Sequence, residues 1–152
     1  MVEEIGFQRE YRSVAMICTY IIWIKFIITA IIQGRKSFHA GTRVKEDDIS
    51  RKEAVTDEKI DDDNRWKRLV LNDLENITFG LIMFWGALIV CTAKSCNLAL
   101  IILMPIWVLM RILHSVFFAV GKQWPRTIVY ILAVCCVAAA GIIGVVDAFR
   151  RL

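Results

Sequence analysis

Two sets of polar side chains recur at helical spacing in otherwise apolar surroundings. Arg65, Arg68, Asn72, Glu75 and Phe79 lie three or four residues apart, so on a helix they share one face. Arg111, His114 and Phe118 do the same within a second apolar run. Arginine matches a carboxylate through two parallel hydrogen bonds. One carboxylate and one carboxamide beside it can take an ammonium group. The inventory suits a small zwitterionic or anionic ligand with a polar head, and a peptide-like cofactor such as glutathione fits it. The same residues also permit a structural ion pair, for instance Glu75 with Arg111, and spacing alone leaves both readings open. A charge at the centre of a lipid-facing helix costs roughly 2.5–3.5 kcal/mol. Both faces are therefore expected to meet other helices or a subunit interface. Lys25 is a further charge in an apolar run, expected to snorkel or to pair inside the bundle.

The elements that must position these groups follow from hydropathy. Hydrophobic residues make up 57% of the 152-residue chain, above the roughly 45–50% of soluble domains. They are concentrated in four blocks. Ser13 to Ile32 is broken only by Lys25, and about 20 helical residues cross a hydrocarbon core. It is read as a retained span rather than a signal segment, being too long for a signal core. Ile77 to Ala93 carries no charge, and its helical pattern extends upstream to an expected start near Asp62 or Asp63, acids that suit a helix N-terminus. Lys94–Asn97 is expected to be a tight turn. Leu98 to Val120 holds Pro105, a candidate kink. Gly121–Pro125 reads as a turn. Thr127 to Val146 carries small residues at Ala133, Cys136, Ala140 and Gly144, which let helix backbones approach closely in lipid. The expectation is an all-α integral membrane four-helix bundle in a single domain, 1–152. Its spans are about 13–33, 65–93, 98–120 and 126–147, and a solvated charged loop covers about 34–64.

Residues 34–68 hold ten lysines and arginines, and Lys122 and Arg126 join them on one side. Arg9, Arg12, Lys94, Arg150 and Arg151 lie on the other. The bias places the long loop in the cytosol. The net charge of +4 is modest, and its basic residues flank apolar blocks. That suits a membrane surface and gives no basic soluble face for nucleic acid. The five cysteines fit no zinc spacing, and two histidines make no metal cage. No metal is expected, and the cysteines read as small hydrophobes.

The run Arg65-Trp66-Lys67-Arg68-Leu69-Val70-Leu71-Asn72-Asp73-Leu74-Glu75-Asn76 resembles the signature of the MAPEG family, membrane-associated proteins of eicosanoid and glutathione metabolism. Leu71 to Asn76 looks closest to the microsomal glutathione transferase branch. Arg111-Ile112-Leu113-His114-Ser115 is similar to the family's third-helix Arg-x-x-His-Thr. Lys122-Gln123-Trp124-Pro125-Arg126-Thr127 stands where the family has a proline turn followed by arginine. Phe118 stands where the family often has Tyr, Val70 where it has His, and Gln-Trp-Pro-Arg replaces Gln-Pro-x-Arg.

The resemblance implies a homotrimer with glutathione between neighbouring subunits near the cytosolic face. Carried over residue by residue, Arg68, Asn72, Glu75, Arg111 and His114 would bind glutathione. Thr127, Tyr130 and, at the end of the first helix, Arg35 would join them. Arg126 would be catalytic, stabilising the thiolate. The activity implied is a glutathione transferase or peroxidase acting on hydrophobic electrophiles or lipid hydroperoxides, a detoxification role. An eicosanoid-type isomerase like prostaglandin E synthase is one alternative, and a non-catalytic lipid-binding member is another. The location implied is the endoplasmic reticulum (the microsomal fraction), with the outer mitochondrial membrane as the alternative.

Overall fold

The computed structural model describes residues 2–43 and 55–150, with side chains from Tyr11 onward. Four helices account for nearly all of them: α1 (Val2–Ala40), α2 (Asp57–Val90), α3 (Lys94–Ala119) and α4 (Gln123–Phe149). No strand occurs among the described residues. Each helix is long and apolar enough to cross a membrane, so the chain is all-α, as its hydropathy requires.

The helix ends are set by local chemistry. Gly41 and Gly121 both adopt positive φ. At each glycine, its own backbone N–H and the one after it turn back. Gly121 donates to the Phe118 carbonyl and Lys122 to that of Phe117, at 3.1 and 2.9 Å. Gly41 donates to Phe38 and Thr42 to Ser37, at 3.3 and 3.2 Å. Only glycine enters that backbone region without strain, and the pattern satisfies the orphaned carbonyls. The acids that start α2 are Asp57 and Glu58, a turn and more ahead of the expected Asp62 and Asp63. Lys94–Asn97 is the first turn of α3, not a connection. The connection is Cys91–Ala93, and the carboxylate of Asp147, buried near the end of α4, holds it. That carboxylate accepts from the Thr92 N–H at 2.9 Å and from the Cys96 thiol at 3.6 Å. Pro105 lies inside α3, which runs unbroken past it. The cysteines form no disulfide among the described residues; Cys18, Cys91 and Cys136 are buried.

The chain divides into two compact units. The larger comprises Met1–Trp23 and Ile77–Leu152, the smaller Ile24–Asn76. In the larger unit, the buried stripe of α4 is Val129, Ala133, Cys136, Ala140, Gly144 and Asp147, which contains every small residue read from the sequence. Gly144 lies so close to Ala87 that an added Cβ would come within 3.2 Å of its Cα. Phe84 and Trp107 pack at 5.5 Å between ring centroids, and the Trp85 indole N–H donates to Thr19 Oγ1 at 3.1 Å. Gly80 leaves the space that Trp107 fills, since a Cβ there would meet the indole at 2.3 Å. Gly80→Ala is therefore expected to destabilise the protein by about 1–3 kcal/mol through overpacking. Thermal melting in detergent, followed by circular dichroism, checks it.

The smaller unit is held by polar groups as much as by Leu69 and Ala40. Thr29, Ser37, Asp63 and Asp73 are all buried in it. Asp63 accepts from Gln33 at 3.2 Å and pairs with Lys67 at 2.7 Å. It also accepts from the Thr42 hydroxyl. Asp73 is fully buried and paired with Lys25, which retains 10% side-chain exposure. Lys25 thus pairs inside the protein rather than snorkelling, and its partner is the aspartate of the Asn-Asp-x-Glu run.

Candidate functional site

In the larger unit the candidate residues come from α3 and α4. Helical spacing puts Arg111, His114 and Phe118 on one face of α3, and the structure buries the first two, to 1% and 5% exposure. An arginine and an imidazole are thus both withdrawn from the surface of a helix that is otherwise apolar. The two helices pack along one another, joined by the turn at Gly121. The Tyr130 ring of α4 stands 6.0 Å from the His114 ring. Phe118 stands 6.4 Å from the same imidazole. The Arg126 guanidinium lies over the face of Phe118, 5.1 Å from the ring centroid. His114, Phe118, Tyr130 and Arg126 therefore belong to one neighbourhood, and Arg111 lies one turn before His114 on the same α3 face.

The Phe118–Arg126 contact was not legible from spacing. A cation over an aromatic face is stabilised by the ring quadrupole, by about 0.5–1 kcal/mol when exposed and more when desolvated. Phe118 lacks the phenol that the resemblance leads one to expect, and its ring supports the guanidinium instead. Arg126 is in the first turns of α4, where backbone N–H groups point outward and the helix dipole is positive. Thr127 stands beside it, exposed, and its hydroxyl proton is committed to the Gln123 carbonyl at 3.1 Å. Stabilising an anion through Thr127 requires that bond to be exchanged. The Ser115 hydroxyl likewise returns to its own helix, at the Arg111 carbonyl, 3.5 Å away.

In the smaller unit, Arg68, Asn72 and Glu75 keep one face of α2, with Arg68 and Glu75 exposed and Asn72 half-buried. The Asn72 carbonyl accepts from the Asn76 carboxamide at 2.9 Å. Arg65, read with this face, pairs with Asp62 at 3.0 Å. Asp73, between Asn72 and Glu75 in sequence, points away to Lys25. Arg35 lines a cavity with Lys36, His39 and Lys59. Asp73 and Asp147, to which sequence reasoning gave no role, and Asp63, read there only as a helix-start acid, are all buried and all bonded. An acid directly at the end of an apolar run was the available signal for Asp147.

The sequence profile of the MAPEG family matches residues 13–146. No individual curated protein and no solved structure matches the chain.

Proposed function

The chain belongs to the MAPEG family, and from that premise we propose that it is a membrane-bound glutathione transferase with peroxidase capacity. Membership and four membrane-length helices make it an integral membrane protein and support a glutathione-related role there. The observation that carries the finer reading is the burial of Arg111 and His114 on the α3 face where Tyr130 and the Arg126-bearing Phe118 gather. A guanidinium and an imidazole buried on one α3 face, with a second guanidinium over Phe118 at the end of that face, suit a bound anion.

Glutathione supplies the nucleophile when bound, and its thiolate is the reactive form. Arg126 favours that form through its own charge and through its place in the first turns of α4. Arg111 and His114 hold the peptide's polar groups, and Tyr130 lines the same wall. The thiolate attacks an electrophilic carbon, the carbon–sulfur bond forms and the leaving group departs with its electron pair. With a lipid hydroperoxide it attacks the terminal oxygen, the O–O bond breaks to leave a sulfenic acid, and the alkoxide takes up a proton equal to the one lost when the thiol ionised, leaving as the alcohol. A second glutathione then converts the sulfenic acid to a disulfide and water. Apolar substrates reach such a site through the lipid.

Arg68, Asn72 and Glu75 form the second glutathione-binding set in this reading. Two exposed charges on a membrane-length helix would be costly against lipid. A neighbouring subunit of a homotrimer, with glutathione at the interface, covers them. Thr127 is a secondary contact, because its proton is already in use; this favours the transferase over the isomerase reading. Arg35 is left outside the set, since the cavity it lines has a chemistry of its own. The endoplasmic reticulum is the proposed location.

The test is glutathione conjugation of an aryl halide by the detergent-purified protein. Saturable turnover in both substrates is expected. Glutathione binding without turnover on aryl halides or lipid hydroperoxides would instead support the non-catalytic reading, which the missing phenol at Phe118 favours.

A further inference from the structure

The smaller unit contains a cavity of about 450 Å³ lined by Ile32, Arg35, Lys36, His39, Lys59 and Asp62. Three of these side chains are cationic, one is an imidazole and one is a carboxylate. The carboxylate is already used: Asp62 pairs with Lys36 at 2.7 Å and with Arg65 at 3.0 Å. Arg35 makes no hydrogen bond or ion pair among the described residues. Its five N–H donors in a planar fork are available to an oxyanion. Among the described lining residues three cations stand beside one carboxylate, and Arg35 is a donor group suited to phosphate.

The position of the cavity narrows the ligand. Arg35 and His39 close the apolar run of α1, just beyond Ile32. Residues 28, 32, 35 and 39 are spaced four, three and four apart, so Ile28, Ile32, Arg35 and His39 share one face of the helix. That face is apolar up to the cavity and basic within it. Ile24, Ile28 and Ile31 are exposed along the same helix. A molecule with a phosphate at one end and acyl chains at the other matches both halves. A free phosphate matches only the upper half. The Lys and Arg bias places this end of α1 on the cytosolic side, where anionic lipids are concentrated.

We infer that the cavity formed by Arg35, Lys36, His39 and Lys59 is an interfacial binding site for the phosphate group of an anionic phospholipid, whose acyl chains lie along the exposed isoleucines of α1. The oxyanion binds the Arg35 fork, and Lys59 adds charge from α2. Lys36 contributes while keeping Asp62 as its neighbour. The site would tie the cytosolic ends of α1 and α2 to lipid of a chosen charge. It requires no glutathione and holds whether or not the chain is a transferase.

The experiment is native mass spectrometry of the full chain, released from detergent micelles doped with dioleoyl phosphatidic acid or dioleoyl phosphatidylcholine. Retention of phosphatidic acid in preference to phosphatidylcholine is expected. One basic residue near a membrane surface is worth about fivefold in affinity. Arg35→Gln should therefore weaken phosphatidic acid binding by about fivefold, and the charge reversal Lys59→Glu by roughly 25-fold. Glutathione binding to Lys59→Glu should be unchanged. Equal retention of both lipids would overturn the inference, since apolar contact alone would then hold them. Displacement of the lipid by millimolar inorganic phosphate would reassign the cavity to a soluble phosphate ligand. Displacement by glutathione would make it part of the glutathione site.

Discussion

Arg126→Ala is expected to lower glutathione-conjugating turnover by roughly 10²–10³-fold, the cost of removing one fixed donor from a developing or resident anion. The thiol needs help, because a free thiol with a pKa near 8.5 is only a few per cent ionised at neutral pH. Arg126 has two features suited to supplying it. It sits in the first turns of α4, where the dipole favours an anion. Its guanidinium is also steadied by the face of Phe118 at 5.1 Å, so its charge is placed rather than free to wander. The direct readout is ultraviolet difference absorbance of the thiolate on adding glutathione. The signal should be lost in Arg126→Ala at glutathione concentrations that still saturate the protein. An unchanged thiolate signal would reject the role. Phe118→Ala, which removes the ring under the guanidinium, should reduce the signal partly. Phe118→Tyr, which keeps the ring face, should preserve it.

The second large effect is expected on stability. Lys25→Met leaves the Asp73 carboxylate, which has no solvent exposure, without its ammonium partner inside two membrane-length helices. Breaking a buried pair from one side costs about 3–5 kcal/mol, because the remaining buried charge loses its ion-pair partner. Removing both charges together is far milder, since two well-packed apolar residues can replace a buried pair at little net cost. Lys25→Met and Asp73→Leu should therefore each lower the melting temperature sharply, and the double variant should recover most of the loss. Additive losses in the double-mutant cycle would show that the two groups do not depend on one another. Asn72 and Glu75 flank Asp73 on α2. Losing this one α1–α2 pair beside them should thus weaken glutathione binding as well as stability.

Much of the fold was legible because lipid imposes a simple rule. About 20 apolar residues make a span, and four such blocks are visible in the chain. The close-packed stripe on α4 was legible for a related reason, since small residues at helical spacing have few other uses in a membrane helix. The ends were less so. The glycines that stop α1 and α3 are two of eight in the sequence, and only backbone geometry separates them from the rest. Polar pairing was the least legible. Lys25 and Asp73 are 48 residues apart, and Asp147 meets Thr92 from 55 residues away; no local periodicity links such partners. Of the candidate site, the α3 face was readable because Arg111, His114 and Phe118 obey the helical period. The stacking of Arg126 on Phe118 joins two helices across a turn and depends on side-chain direction, which spacing does not encode. For Arg35, sequence supplied the residue but not its neighbours, and the neighbours change the chemistry assigned to it.

If the basic groups of α3 and the start of α4 hold glutathione, equilibrium dialysis of labelled glutathione against the purified protein shows it most directly. Saturable binding is expected, with a loss of at least tenfold in Arg111→Gln, since a charged group's hydrogen bonds contribute about 1.5–3 kcal/mol. No saturable binding to the unmodified chain, or equal binding by Arg111→Gln while it remains folded, would contradict the claim.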